Sequence, residues 1–212
     1  IHENNRTEIE RLYQKTSLNQ FILGALALLL IWVNIDVFYH FMPNGKVYEV
    51  GKWAVFYLGV GKLCVLLQGN SAAMLIFSKR YYLSLLINGV SIIVGVLLNQ
   101  YLIPIMGIEG AALATGGVWL ASGVVMALLI YSVYGMQPIT RGVAMSVLLF
   151  VGVFYINYLW EVGESNLLWM SALKTMVLLG GSMFLILRYR ISEDVRSMAK
   201  KMLAPLGIRL KD

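Results

Sequence analysis

Charged residues and cysteine are both scarce in this sequence. Only 13% of its 212 residues are charged, whereas ordinary soluble domains have roughly a quarter. A single cysteine, Cys64, excludes an intrachain disulfide and a cysteine-ligated metal site. His2 and His40 have no serine or carboxylate partner at a catalytic spacing, and the motifs of serine hydrolases, phosphate-binding loops and zinc peptidases are missing. The sequence therefore predicts a protein that is not an enzyme and that uses neither a cofactor nor a metal ion.

Apolar residues, by contrast, make up 59% of the chain, and the mean hydropathy is +0.74. A soluble core of this size cannot enclose so much apolar surface, so lipid must be the solvent for much of it. Six continuous runs approach or exceed the length of about 20 residues that crosses a bilayer as a helix. They cover residues 18–38, 53–77, 82–105, 110–134, 143–160 and 167–187. The predicted fold is an all-α, polytopic membrane helical bundle of about six transmembrane helices.

Basic residues are distributed unevenly among the segments outside these runs. The chain divides into a cytoplasmic, amphipathic lead-in at 1–17, the six-helix region at 18–188 and a basic tail at 189–212. Counted in alternate segments, thirteen lysines and arginines fall on the side of the two termini and two on the other. Since these residues collect on the cytoplasmic side, both termini are predicted to be cytoplasmic. Within the tail, residues 190–203 have the spacing of a helix on the inner membrane surface.

The net charge of +6 raises the question of a nucleic-acid partner. The basic residues form no single stripe and have no aromatic or motif companion, which argues against nucleic acid. Short basic segments beside apolar helices are typical of contact with anionic lipids. Membrane lipids are therefore the expected partners.

Few groups within the apolar runs can ionise. Lys62 lies near the middle of the second run, where a charge costs at least about 2.5 kcal/mol, so it is expected to line a path for an anionic substrate. Alternatively, Lys62 reaches towards the membrane surface or pairs with Asp36. Gln68 and Asn70 follow it, and the glycine between them favours a bend. Lys174 is a second cation within a run. The candidate substrate-binding residues are Lys62, Gln68, Asn70 and Lys174.

A longer motif links the third and fourth runs. Residues 98–115 read LNQYLIPIMGIEGAALAT, in which Pro104 and Gly107 form a short turn and small residues open the next helix. This stretch resembles a signature of the multidrug/oligosaccharidyl-lipid/polysaccharide exporter superfamily. More specifically, it resembles the polysaccharide flippases of the lipopolysaccharide or O-antigen exporter type. Further similar stretches are LYQKTSLNQF at 12–21, GKW at 51–53 and SKRYY at 78–82, so the resemblance covers about residues 10 to 160.

The resemblance implies a transporter with twelve to fourteen helices in two lobes, of which this chain is the C-terminal portion. The start at Ile1 rather than methionine agrees with an N-terminal lobe missing from this sequence. The implied function is to flip a polyprenyl-pyrophosphate-linked oligosaccharide across the bacterial inner membrane by alternating access, for surface polysaccharide or lipopolysaccharide synthesis. Cationic residues such as Lys62 would meet the pyrophosphate. Glycosyltransferases and a polymerase of the same pathway are the implied protein partners.

Three alternatives remain open from the residues alone. A drug or cation antiporter of the same superfamily should have acidic residues in its cavity, whereas Asp36 is the only carboxylate within a run and Lys62 is positive. A polysaccharide polymerase or acyltransferase would need a long outer loop rich in Arg, His or Asp, and the loop at 39–52 offers only His40 and Glu49. The third alternative is a non-transporting membrane subunit of a polysaccharide assembly complex.

Overall fold

The computed structural model of the chain describes residues 3–160 and 167–197. Every regular element in this part of the chain is a helix and none is a strand, which confirms the predicted all-α class. The helices are α1 (Glu3–Phe41), α2 (Gly45–Glu49), α3 (Lys52–Leu67), α4 (Ser71–Ile76), α5 (Tyr81–Tyr134), α6 (Arg141–Leu159) and α7 (Leu167–Arg188).

Four of these helices are long and apolar enough to cross a membrane. They are α1, over Arg6–Phe41, together with α5, α6 and α7. α3 is apolar too, but its 16 residues are fewer than a typical span contains. Four such helices fit a membrane protein, as the composition indicates.

α1 begins much earlier than the first apolar run. The predicted lead-in at 1–17 is not a separate segment where the structure describes it, because α1 is continuous from Glu3. Tyr13 and Ser17 are buried on one face of this part of the helix, and the Ser17 hydroxyl donates to the Tyr13 carbonyl at 2.8 Å. The polar lead-in therefore extends the first helix beyond the apolar stretch.

α5 is a hairpin of two helical arms that meet at Gly107. This residue has φ 60° and ψ −132°, a backbone conformation open almost only to glycine. A methyl group on Gly95 would lie 3.8 Å from Val118 Cγ2, although the two residues lie on opposite sides of Gly107 in sequence. The first arm, 81–106, and the second arm, 108–134, are therefore antiparallel neighbours. They correspond to the third and fourth apolar runs, and the predicted turn shortens to one residue.

The predicted second run does not form one helix. α3 ends at Leu67, a turn follows, and α4 is a separate short helix. Gly69 in this turn has φ 54°, and a methyl group there would lie 2.5 Å from the Ser17 hydroxyl oxygen of α1. The helix over 53–77 was therefore a wrong prediction at this turn, where Gly69 allows a close approach to α1.

α1 packs against α3, α6 and α7. Gly24 of α1 packs against Leu66, and Gly59 of α3 packs against Leu28. Residue numbers rise along one helix as they fall along the other, so α1 and α3 run antiparallel.

α7 also runs antiparallel to α1. Near one end of the pair, Asn34 donates to the Thr175 hydroxyl at 2.9 Å. Further along, Ile22 and Ile186 share a buried cluster, to which α6 contributes Phe150. Interhelical hydrogen bonds between small polar side chains stabilise helix pairs in lipid by roughly 0.6 to 2 kcal/mol.

The second arm of α5 packs along α3 and runs parallel to it. Gly61 faces Gly116, and Gln68 lies against Gly123. The first arm has one buried residue, Ser84, and otherwise stands on the outside of the bundle.

One end of the bundle carries most of the basic residues. This basic end comprises residues 6–19, 68–80, 134–141 and 188–197. Arg6 donates to the Tyr134 carbonyl at the end of α5, and Gln14 donates to the Gln137 carbonyl at 3.3 Å. A cationic side chain at the carbonyl end of a helix is favourable because it opposes the helix dipole.

The segment after α7 is attached to α1 at the same end. Lys15 pairs with Asp194 at 2.7 Å, Asn19 donates to the same carboxylate at 2.7 Å, and Ser192 donates to Asn19 at 2.6 Å. The Lys15 hydrogen bond holds the pKa of the Asp194 carboxyl below its ordinary value. The described start of the predicted tail helix thus contacts α1, and the remainder of 190–203 lies outside the described residues.

The opposite end is rich in Trp and Tyr. This aromatic end comprises residues 36–53, 104–110, 157–160 and 167–174. Gly51, before α3, lies beside Ile108 at the hairpin of α5, where a methyl group would be 3.6 Å from Ile108 Cγ2. Lys174 of α7 donates to the carbonyl of Trp160 at the end of α6 at 2.6 Å. Residues 161–166, between α6 and α7, lie outside the described part of the chain.

Candidate functional site

A cavity of about 760 Å³ opens at the aromatic end of the bundle. Its walls come from the end of α1, α2, the start of α3, the end of α6 and the start of α7. Pockets that bind small molecules have volumes of about 300 to 1,000 Å³. The cavity is therefore the candidate functional site.

An ion pair stands on the α1 and α3 side of the cavity. Asp36 accepts a hydrogen bond from Lys52, the first residue of α3, at 2.5 Å. The Lys52 ammonium also lies 5.6 Å from the centre of the Trp32 ring, within the range of a cation–π contact. Both charged side chains are partly exposed, and such pairs contribute about 0–1 kcal/mol to stability. The pair places two charges on the cavity wall and adds little to the stability of the fold.

Aromatic rings form the wall beside this pair. Trp32 and Trp53 have ring centres 5.7 Å apart at a tilt of 53°, and Phe56 lies 5.2 Å from Trp32 behind them. Trp53 keeps 47% of its surface exposed. The cluster holds the tryptophan rings in place and leaves part of Trp53 available for contact.

The α6 and α7 wall follows from helical spacing. The buried residues of α6 recur every three or four positions, namely Val143, Ser146, Phe150, Val153 and Asn157. The buried residues of α7 have the same spacing, namely Ser171, Lys174, Leu178, Ser182 and Ile186. Each buried stripe is apolar or small in its middle, and each has its largest polar side chain near the aromatic end. The two stripes thus bring Asn157 and Lys174 to the cavity.

Lys174 is only 7% exposed and is tied to the protein by a hydrogen bond. Its ammonium donates to the Trp160 carbonyl, which is otherwise one of the free carbonyls at the end of α6. A lysine near a helix C-terminus in this way satisfies the carbonyl and opposes the helix dipole. Lys174 therefore lines the cavity while fixing the junction of α6 and α7.

Asn157 is 8% exposed and lines the cavity from α6. Its carbonyl oxygen Oδ1 has no hydrogen-bond partner among the described residues. A buried polar atom without a partner costs about 1–3 kcal/mol. Asn157 thus brings a polar side chain to the cavity wall, while its unpaired Oδ1 is itself buried.

The predicted site residues do not come together. Lys174 lines the cavity, whereas Lys62 is absent from its lining. Lys62 is exposed on α3, with its ammonium 5.5 Å from the centre of the Trp119 ring of α5. Asp36 pairs with Lys52, so the alternative pairing of Lys62 with Asp36 is wrong.

Gln68 and Asn70 lie in the turn between α3 and α4, towards the basic end. A methyl group added to Gly123 would lie 2.9 Å from the Gln68 amide nitrogen, so Gln68 packs closely against the second arm of α5. Asn70 is exposed, and its side chain makes no capping hydrogen bond to α4. The turn confirms the predicted bend, and the role of these residues in binding substrate stays a prediction.

Sequence reasoning missed much of the cavity wall. In the sequence, Lys52 is one of the two basic residues outside the runs on the side opposite the termini, and Asn157 is not among the candidate binding residues. Asn157 carried a usable signal, because its helical spacing from Phe150 and Val153 places it on the buried stripe of α6. Lys52 carried no such signal in the sequence, because its ion pair with Asp36 depends on the path that residues 42–51 take between the two helices.

Comparison of the chain with protein-family models, with curated proteins and with solved structures finds no match. Within the described residues, no three His, Cys, Asp or Glu side chains come together in a way that could hold a metal ion. The chemical character of the site therefore has to be judged from its charges, rings and unpaired polar groups.

Proposed function

We propose that this chain is part of a membrane transporter that flips a polyprenyl-pyrophosphate-linked oligosaccharide across the bacterial inner membrane by alternating access. The observation that carries the proposal is a cavity with charged and polar side chains on its wall at one end of a bundle of apolar helices. Ionised groups are costly next to lipid, so a bundle that keeps them around an open cavity is suited to admitting a polar solute. Such a protein moves its substrate without making or breaking covalent bonds.

The chain crosses the membrane six times in this proposal. α1, α6 and α7 each cross once, the two arms of α5 cross once each, and α3 with the turn after it supplies the remaining crossing. The antiparallel and parallel contacts of α1, α3, α5 and α7 support this alternation. In this proposal the basic end faces the cytoplasm and the cavity faces the periplasm, and the lysines and arginines gathered at the basic end support that orientation.

The motif at 98–115 supports the same function. It resembles a flippase signature, and the structure gives it a physical role as the hairpin of α5. Gly107 makes the turn, and Gly110 packs so closely that a methyl group there would collide with the Leu102 carbonyl. In the two-lobe arrangement that the resemblance implies, the exposed Lys62 faces the path of the pyrophosphate.

A cation antiporter is less well supported by the cavity. Asp36 and Glu49 line it, as such a transporter requires, but Lys52 and Lys174 line it too. Among the described lining residues, two carboxylates are thus balanced by two ammonium groups, which leaves no excess negative charge to attract a cation.

The test uses the full-length parent gene in its own cells. We expect its deletion to remove surface glycan and to leave lipid-linked oligosaccharide on the inner leaflet, since synthesis continues without export. Complementation with the wild type should restore both, whereas Lys62→Ala should fail at normal membrane abundance because its cation is lost. Lys79→Ala is the matched control, because Lys79 is an exposed lysine in the loop at the basic end.

Normal surface glycan without precursor accumulation in the deleted cells would contradict the proposal. Increased sensitivity to cationic drugs with unaffected glycan would favour the antiporter. Full rescue by Lys62→Ala would remove Lys62 from the substrate path.

A further inference from the structure

We infer that the cavity at the aromatic end binds an uncharged saccharide, namely the sugar portion of the carried lipid. The inference rests on the proposed function and deepens it by assigning the sugar and the pyrophosphate to different places. Three features of the cavity carry it: balanced charge, exposed aromatic surface and polar side chains on the wall.

Charge balance sets the chemical class of the ligand. Of the described lining residues, Asp36 and Glu49 are acidic and Lys52 and Lys174 are basic. The Lys52 ammonium is already engaged by Asp36 at 2.5 Å, and the Lys174 ammonium by the Trp160 carbonyl at 2.6 Å. A pyrophosphate would need free cations or bidentate donors, and here both ammonium groups have partners. The cavity therefore suits a polar ligand without net charge.

Among polar ligands without net charge, the exposed aromatic surface of the cavity favours saccharides. The apolar C–H faces of a sugar ring pack well on an indole, while its hydroxyls bond to polar groups around the edge. Trp53 is half exposed at the cavity, and Trp32 beside it fixes its orientation through a ring contact of 5.7 Å. Tyr158, on the opposite wall, is 75% exposed. Amphipathic rings of this kind bury an apolar face and leave their polar atoms free to hydrogen-bond.

Polar side chains on the wall supply the hydrogen bonds. The exposed carboxylates of Asp36 and Glu49 offer acceptors, and a sugar hydroxyl is a donor that can reach them without bringing charge into the cavity. Asn157 forms part of the opposite wall as a polar residue, while its Oδ1 is buried and not itself open to the cavity. A volume of about 760 Å³ is within the range of pockets for small organic molecules, and thus suits a short saccharide.

The experiment measures saccharide binding to the full-length protein in nanodiscs. The probe is the neutral oligosaccharide fraction released by mild acid from the polyprenyl-pyrophosphate pool of the host, labelled with tritium. Inorganic pyrophosphate and tetraphenylphosphonium are the anionic and cationic comparison probes. We expect the saccharide to bind and neither charged probe to compete with it.

Two matched pairs of variants locate the site. Asn157→Leu and Trp53→Leu should each weaken saccharide binding about tenfold, which corresponds to about 1.4 kcal/mol. Asn88→Leu and Trp169→Leu should leave it within twofold, because both residues are exposed and neither lines the cavity. The unmodified protein gives an independent reading, since bound saccharide should shield Trp53 and not Trp169 from hydroxyl-radical oxidation.

The outcomes separate this inference from the proposed function. Shielding of Trp53 together with the loss in both cavity variants supports the inference even if deletion of the gene leaves surface glycan unchanged. Saccharide binding that the cavity variants do not weaken, or competition by pyrophosphate that Trp53→Leu abolishes, would overturn the inference. In that case a loss of surface glycan on deletion would still support the flippase.

Discussion

Single residues set the geometry of this protein where the backbone leaves the ordinary helical region. Gly107 and Gly69 both have positive φ angles, but they differ in their surroundings. Gly69 is pressed against Ser17, whereas nothing lies within 4 Å of the position that a methyl group on Gly107 would take. Gly107 therefore isolates the effect of backbone conformation from the effect of packing.

We expect Gly107→Ala to lower the free energy of unfolding of the full-length protein by about 1–3 kcal/mol, because alanine is strained at this φ and ψ. Gly89→Ala is the control. Gly89 also has open space around it, but it lies within an ordinary stretch of α5, where alanine stabilises a helix by about 0.5–1 kcal/mol. Denaturation in mixed detergent micelles measures both values. Equal stability of Gly107→Ala and the wild type would show that the hairpin does not depend on the glycine.

The sequence allowed Gly107 to be predicted at a turn but concealed the role of Asn157. A glycine three residues after a proline, between two apolar runs, is a strong local signal. Asn157 looks like other amides in apolar helices, and only the position of α7 shows that its oxygen is left without a described partner. Local signals reveal conformation, whereas the state of a polar atom depends on neighbours distant in sequence.

At the scale of whole helices, small residues decide which helices come into close contact. α3 and the second arm of α5 approach through Gly61 and Gly116, where a methyl group on Gly61 would lie 2.6 Å from the Gly116 carbonyl oxygen. A methyl group on Gly116 would collide with the Tyr57 carbonyl. In lipid, where helices gain little from burying apolar surface, such close packing is a main source of association.

We expect Gly116→Ala to destabilise the protein by about 1–3 kcal/mol, since α5 would have to move away from α3. Gly117→Ala should be neutral or slightly stabilising. Gly117 is the next residue on the same helix, and nothing lies within 4 Å of its side-chain position. Unfolding of the two variants in detergent makes the comparison. A loss of stability as large in Gly117→Ala as in Gly116→Ala would mean that this contact does not hold the two helices together.

Helix positions followed from the sequence better than helix boundaries. α6 and α7 lie within about two residues of the predicted runs, because each is bounded by turn residues or charge. The second run is predicted as one helix because the apolar pattern continues through 71–77, whereas the structure divides it where the backbone turns at Gly69. α1 is longer than the first apolar run, because the helix continues into a polar stretch of sequence. Its polar start does not look like a membrane span, yet it continues the helix and contacts the segments at the basic end.

The whole molecule has two chemically different ends, and both functional proposals depend on this difference. The basic end joins the start of α1 to the segments around Tyr134 and Asp194. The aromatic end contains the cavity. Both proposals require the basic end to face the cytoplasm and the aromatic end to face the periplasm.

Hydropathy and charge counts predicted the apolar helices and their alternation, but not the cavity. The cavity lies between the ends of α1, α3, α6 and α7, and two of the contacts on its wall are Asp36 with Lys52 and Lys174 with Trp160. Neither pair is recognisable from spacing along the chain. The sequence predicts that Lys62 lines the path of an anionic substrate, whereas in the structure Lys62 is exposed on α3 and does not line the cavity.

The most direct measurement is the labelling of single cysteines in intact cells with a membrane-impermeant maleimide. The variants carry Cys64→Ala, which removes the native thiol, and one cysteine each. Val50→Cys and Tyr158→Cys report on the aromatic end, and Lys79→Cys and Ile139→Cys report on the basic end; all four positions are exposed.

We expect the cysteines at positions 50 and 158 to react in intact cells, because the proposed orientation puts them in the periplasm. Those at 79 and 139 should react only after the inner membrane is made permeable. This result requires α3 and α6 to cross in the proposed directions and α5 to return the chain to the side from which it starts, and it would place the cavity on the releasing side. Labelling of positions 79 or 139 in intact cells, or of 50 and 158 only after permeabilisation, would contradict the proposed orientation and with it the assignment of the cavity.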